Sequence, residues 1–139
     1  MATMHCEIVS AERQLFAGVI TKLTAVGTIG GLGIYPGHAP LLTGIKAGPV
    51  NLTLESGEEE VFFASGGYIE IQPGMITILA DTAVRAEDID EAQAAEARDA
   101  AERAFADRAA DFDFGAATAM LAEAMARQRT LEELRKLKR

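Results

Sequence analysis

All four prolines and twelve of the thirteen glycines of this 139-residue chain lie before residue 87, and from Glu87 to Arg139 there is no proline and one glycine, Gly115. Proline removes a backbone donor and glycine loses the most freedom on ordering, so the first 86 residues are closed to long helices while the rest is free of both breakers. A boundary near Ala86 follows, with a β-rich domain over residues 1–86 and a helical one over 87–139.

Within the first part, short runs of β-type residues recur at Met4–Val9, Val19–Val26, Val50–Leu54, Val61–Ala64, Tyr68–Ile71 and Met75–Leu79. Met4, Cys6 and Ile8 alternate with His5 and Glu7, and Ile69 and Ile71 alternate with Glu70 and Gln72, the period of a strand with one buried face. Pro73-Gly74 suits a type II turn and Ser56-Gly57 a hairpin, so the expected architecture is an antiparallel β-sandwich or flattened barrel. From Gly27 to Thr43, five glycines, Gly27 included, together with Pro36 and Pro40 predict a rigid, irregular loop that presents a surface to a partner.

After Ala86 the pattern becomes helical. Asp88 followed by Glu91 reads as a capping box, and good helix formers run to about Ala106. Asp111 to Asp113 interrupt, Asp113 can cap a second helix, and Ala117, Met120, Leu121, Ala124, Gln128 and Leu131 then recur at spacings of three and four. The result is a two-helix antiparallel hairpin. Sixteen of the forty residues from Glu87 to Ala126 are alanine, whose methyl buries far less surface than leucine, so the hairpin is expected to pack loosely and to suit docking and undocking.

Charge narrows the function. The net charge of −8 divides into −4 over residues 1–86, −8 over 87–126 and +4 over 127–139, which argues against nucleic acid or an anionic membrane as the main partner and leaves a basic tip suited to an acidic protein surface. At that tip, i,i+4 pairing of Arg129 with Glu133 or Glu132 with Lys136 is the plainer reading. No apolar run is long enough to span a bilayer and no export signal is evident, so a cytosolic protein is expected. Cys6, the single cysteine, reads as a small buried hydrophobe on a strand.

Motifs for chemistry fail one by one. Gly31-Leu32-Gly33 begins like a dinucleotide fingerprint, but Tyr35-Pro36 and Ala39-Pro40 forbid the helix it must open. His5 and His38 lack neighbours at metal-ligand spacing, and neither Ser65-Gly66-Gly67 nor Cys6 forms a nucleophile elbow. Neither a catalytic residue, a metal nor a cofactor is expected. A free-standing sandwich that binds carbohydrate is the alternative of another class, disfavoured by the absence of tryptophan and by only eight Phe and Tyr residues.

The segments Gly33-Ile34-Tyr35-Pro36-Gly37-His38-Ala39-Pro40-Leu41-Leu42-Thr43, Ser65 to Gly74 and Leu79-Ala80-Asp81-Thr82-Ala83 closely resemble the epsilon subunit of bacterial F-type ATP synthase, and the similarity extends along the whole chain. The resemblance implies a sandwich of about ten strands followed by two helices. It further implies a non-catalytic subunit of the central stalk, bound to the gamma subunit and the c-ring, peripheral at the cytoplasmic face of the bacterial inner membrane and reaching that membrane only through the complex. Gly31, Tyr35, His38, Pro40, Leu42 and Thr43 would then face gamma and the c-ring. The hairpin would extend to bring Arg127, Arg129, Arg135 and Lys136 against the catalytic alpha and beta subunits, restraining ATP hydrolysis. Two departures stand out. Position 31 is glycine where the family usually has an acidic residue, and Asp90 is followed at the motif arginine position by Gln93, which has no guanidinium for phosphate, so ATP binding is expected to be weak or absent.

Overall fold

A computed structural model describes residues 2–89, 91–107 and 114–137. Seven strands come first: β1 (Met4–Ser10), β2 (Gln14–Gly27), β3 (Gly30–Ile34), β4 (Leu41–Leu54), β5 (Glu59–Gln72), β6 (Met75–Ala80) and β7 (Ala83–Arg85). A 3-10 turn at Ala86–Asp88 leads to the helices α1 (Glu91–Asp107) and α2 (Phe114–Leu137).

The strands form a barrel flattened into two layers. The sheet runs β1-β6-β5-β4-β2-β3, β1 also pairs β2, which closes the ring, and β7 adds to β5. Three strands, β2, β4 and β5, are 14 residues long and serve both layers in turn. The first half of β2 pairs with β1 and the second with β3; β5 pairs with β7 over Phe62–Ala64 and with β6 over Gly67–Gln72. Counted by halves, the three long strands and four short ones give the ten segments that the family resemblance implies. Val61–Ala64 and Tyr68–Ile71, read above as separate strands, are thus one strand bent at Gly66 and Gly67, whose φ values of 134° and 131° are accessible to glycine alone at low cost.

One pairing departs from the antiparallel expectation: β1 and β6 run parallel, His5 opposite Met75 through Ser10 opposite Ala80. The reason is topological. β1 and β6 both point opposite to β2 and β5, so when the sheet curls shut its closing edges meet in the same direction.

The core lies between the layers. Met4, Cys6 and Ile8 from β1 point into it with Ile76 and Ile78 from β6, the alternation read in the sequence. Four successive residues of β5, Val61 to Ala64, are all buried, because Phe62 and Ala64 face the core while Val61 and Phe63 lie outside it. The outer pair is covered by α2, which packs on β4 and β5 and antiparallel to α1. Each buried side chain of this size contributes about 1.5–3 kcal/mol, so that second covered face is what fixes α2 in place.

The Gly27 to Thr43 segment is more regular than expected. β3 occupies Gly30–Ile34 and β4 begins at Leu41, so the irregular part shrinks to the two-residue turn at 28–29 and to residues 35–40. Glycines that would destabilise an isolated strand are tolerated because β3 ladders onto β2 from Leu23 opposite Ile34 to Gly27 opposite Gly30. α1 starts at Glu91, placing Asp88 in the 3-10 turn rather than at a helix cap. Asp90 and Asp111 to Asp113 lie outside the described residues.

Candidate partner-binding surfaces

Between β3 and β4, Tyr35-Pro36-Gly37-His38 closes a tight turn in which the His38 amide donates to the Tyr35 carbonyl at 3.2 Å and Gly37 takes φ 89°. Proline at the second and glycine at the third position are what a type II turn requires. His38 is exposed, and its Nδ1 donates to the Ala39 carbonyl at 2.7 Å, since that oxygen can only accept. Lys22 Nζ stands 5.7 Å over the Tyr35 ring.

The structure divides the six residues assigned by resemblance between two shallow grooves and the surface beside them. Tyr35, His38 and Pro40 line a groove of about 310 Å³ with Gln72 and Pro73 from the β5–β6 turn. Gly31 and Thr43 line a second, of about 190 Å³, with Ile29, Leu32 and Leu41. Leu42 lies on the outside at 67 % exposure, and Ile29, at the tip of the β2–β3 turn, is 95 % exposed. Gly31 leaves open space where a side chain would stand, and no atom lies within 4 Å of a Cβ there.

A further apolar surface went unassigned in the sequence. Register sets Gly44 opposite Tyr68, Tyr68 opposite Leu79 and Leu79 opposite Val9, a row across four strands, in which Tyr68 is 60 % and Leu79 52 % exposed. Leu42, opposite Glu70, is diagonal to Tyr68 and extends the row toward the grooves. The signal was present: Ile69, Ile71, Ile76 and Ile78 point inward, so Tyr68 and Leu79 must point outward. Contiguous exposed apolar groups of this kind mark association surfaces.

The basic residues of α2 do not behave as one group. Arg129, Arg135 and Lys136 are exposed, with Lys136 paired to Glu133 at 3.4 Å. Arg127 is half-buried instead: its guanidinium lies 5.2 Å over the Phe63 ring and Nη2 donates to Glu123 at 3.2 Å. Between the helices, Ala94 and Ala101 of α1 and Ala124 of α2 are buried, and Arg98 donates to Gln128 at 3.0 Å. Gln93 is exposed on α1. Among the described residues no group of His, Cys, Asp and Glu could hold a metal ion, and no helix is long and apolar enough to cross a membrane.

Cys6 is buried in β1. Burial, and after it the neighbouring charge of Glu7, pushes its thiol from 9.0 up to about 12, so it stays protonated and inert.

Residues 3–86 match the family described as ATP synthase, delta/epsilon chain, β-sandwich domain, and the chain belongs to that family. It is thereby a delta/epsilon-type chain of ATP synthase. Among solved structures, the fold is similar to a chain of the Euglena gracilis mitochondrial ATP synthase, solved as OSCP/F1/c-ring in rotational state 1, with TM-score 0.72 and 20 % identity over 100 % of this chain and 83 % of that one. It is also similar to a chain of the Tetrahymena thermophila mitochondrial ATP synthase central stalk and c-ring, with TM-score 0.60 and 15 % identity over 92 % of this chain and 96 % of that one.

Proposed function

We propose that this subunit seats the foot of the central stalk on the c-ring, holds gamma along its flank, and restrains ATP hydrolysis through a helical arm, with no active site of its own. The observation that carries the reading is the distribution of uncovered apolar side chains. The helices cover Val61 and Phe63 on one layer, whereas Leu42, Tyr68 and Leu79 on the other, and Ile29 and Tyr35 at the end, remain exposed. The two grooves, one of them lined in part by His38, suit a c-ring loop. The flat Tyr68–Leu79 row suits a helical shaft such as gamma. Residues 1–86 act as the seat and 87–139 as the regulatory unit, in a complex at the cytoplasmic face of a bacterial inner membrane.

For the arm to reach the alpha and beta subunits, α2 must leave β4 and β5. That motion is feasible only when the docked and extended states differ by a few kcal/mol, since a larger gap would freeze one of them. Extension also parts α1 from α2, and that contact, lined by alanines, adds little to the gap. Undocking frees Arg127 from Phe63 to join Arg129, Arg135 and Lys136 in a cationic face whose attraction to acidic partners is screened by salt.

The test is hydrolysis by the assembled enzyme with and without residues 112–139. A several-fold rise on truncation, largest at low ionic strength, is expected; an unchanged rate discards the brake. With Gln93 in place of arginine, the arm is governed by its partners rather than by nucleotide bound to this chain.

A further inference from the structure

The seat of α2 on the sheet is mostly apolar. Pro49 stands opposite Phe63 and Asn51 opposite Val61 on the two strands that carry it, and Ala126, Thr130 and Leu131 are buried on the helix above. Thr130 takes care of its own hydroxyl, donating to the Ala126 carbonyl at 2.8 Å. Asn51 does so only in part. Its Nδ2 donates to Glu133 Oε2 at 3.2 Å, but Oδ1 is buried with no hydrogen-bond partner among the described residues. Arg127 repeats the pattern: Nη2 reaches Glu123, the plane covers Phe63, and Nε is buried and equally unmet.

We propose that Asn51 and Arg127 form an imperfect latch that sets how often α2 leaves the sheet. The inference rests on the reading of the arm given above and names what regulates it. Apolar burial of Val61, Phe63 and Leu131 draws the helix down. One acceptor and one donor, both satisfied in water, oppose it, each lowering the docking equilibrium by roughly tenfold. The Asn51 grip is itself divided, because Glu133 also holds Lys136 at 3.4 Å and is one-third exposed. The latch and the cargo coincide: Arg127, half-hidden over Phe63 when the helix is down, becomes fully available to an acidic partner when the contact opens.

Amide hydrogen exchange of the full-length chain reads the opening directly. Arg127→Met keeps an unbranched stem over Phe63 and removes the unmet donor, so exchange across residues 124–134 should slow by about tenfold, that is by ~1.4 kcal/mol. Asn51→Asp changes little in size but sets a second carboxylate against Glu133, so exchange there should quicken by a similar factor, more at low salt. In both variants the amides of β1 and β6 should exchange as in the parent. Faster or unchanged exchange in Arg127→Met, or a change of the same sign in both variants, overturns the latch. Because this measurement uses the free chain and the truncation test uses the assembled enzyme, either result can fail without the other.

Discussion

At the scale of the residue, two of the glycines at bends of the sheet, Gly67 and Gly74, are not equivalent. A Cβ on Gly67 would collide with the Leu79 carbonyl and stand 2.9 Å from Ala80 Cα, on a residue already at φ 131°. Gly74, at φ 76° in the β5–β6 turn, has nothing within 4 Å. Gly67→Ala is therefore expected to cost more than ~3 kcal/mol, and Gly74→Ala only about 1 kcal/mol, a difference that urea titration of the two variants measures. Cys6 gives a second residue-scale prediction. A thiol held at about 12 in the fold and 9.0 when unfolded adds stability that is complete below pH 9 and is lost as the pH climbs toward 12. The folded chain should resist a thiol reagent at pH 8 and label fully once unfolded in denaturant. The inward position of Cys6 could be read from its neighbours, since alternation in Met4 to Ile8 leaves it no other side. The half-burial of Arg127 could not be read, because nothing near it in sequence reveals that Phe63, more than sixty residues earlier, lies beneath it.

At the scale of elements, the β runs were legible, Val61–Ala64 among them, whereas the burial of both faces of that run and the continuity of a strand that changes layers were not. Period two fails across Val61–Ala64 because α2 buries the face that solvent would otherwise wet, and the bend at Gly66-Gly67 looks in sequence like a turn between two strands. β3 was hidden for another reason: its glycines argue against a strand, and only its ladder to β2 holds them extended. For α2, spacing placed Ala124 and Leu131 inward, where they are buried, but also Met120, which is 58 % exposed. Leu131→Ala should remove ~2–3 kcal/mol of packing from the helices. The loss should show as an earlier thermal transition in helical circular dichroism, with the near-ultraviolet signal of Tyr35 and Tyr68 on the sandwich unmoved.

At the scale of the molecule, one layer is covered by α2 and the other is bare, and the proposed division of regulation from attachment follows that asymmetry. The exposed surfaces proposed for attachment were half legible. The grooves lined by Tyr35, His38, Gly31 and Thr43 coincide with a segment singled out by its glycines and prolines, whereas Tyr68 and Leu79 meet only through the β5–β6 register. Replacing Leu42 and Tyr68 together by serine should leave the melting temperature within a few degrees, since both are exposed, while weakening capture by gamma and c-ring by at least tenfold in a pull-down. Retention at parental strength would send the search for the attachment surface elsewhere. The parallel seam between β1 and β6 has a last consequence, in time rather than in space. β1 can zip to β2 as soon as both leave the ribosome, but its other edge must wait some seventy residues for β6 to be synthesised. Until then the nascent chain carries an open strand edge, and final closure is a late, long-range step that a chaperone has reason to guard.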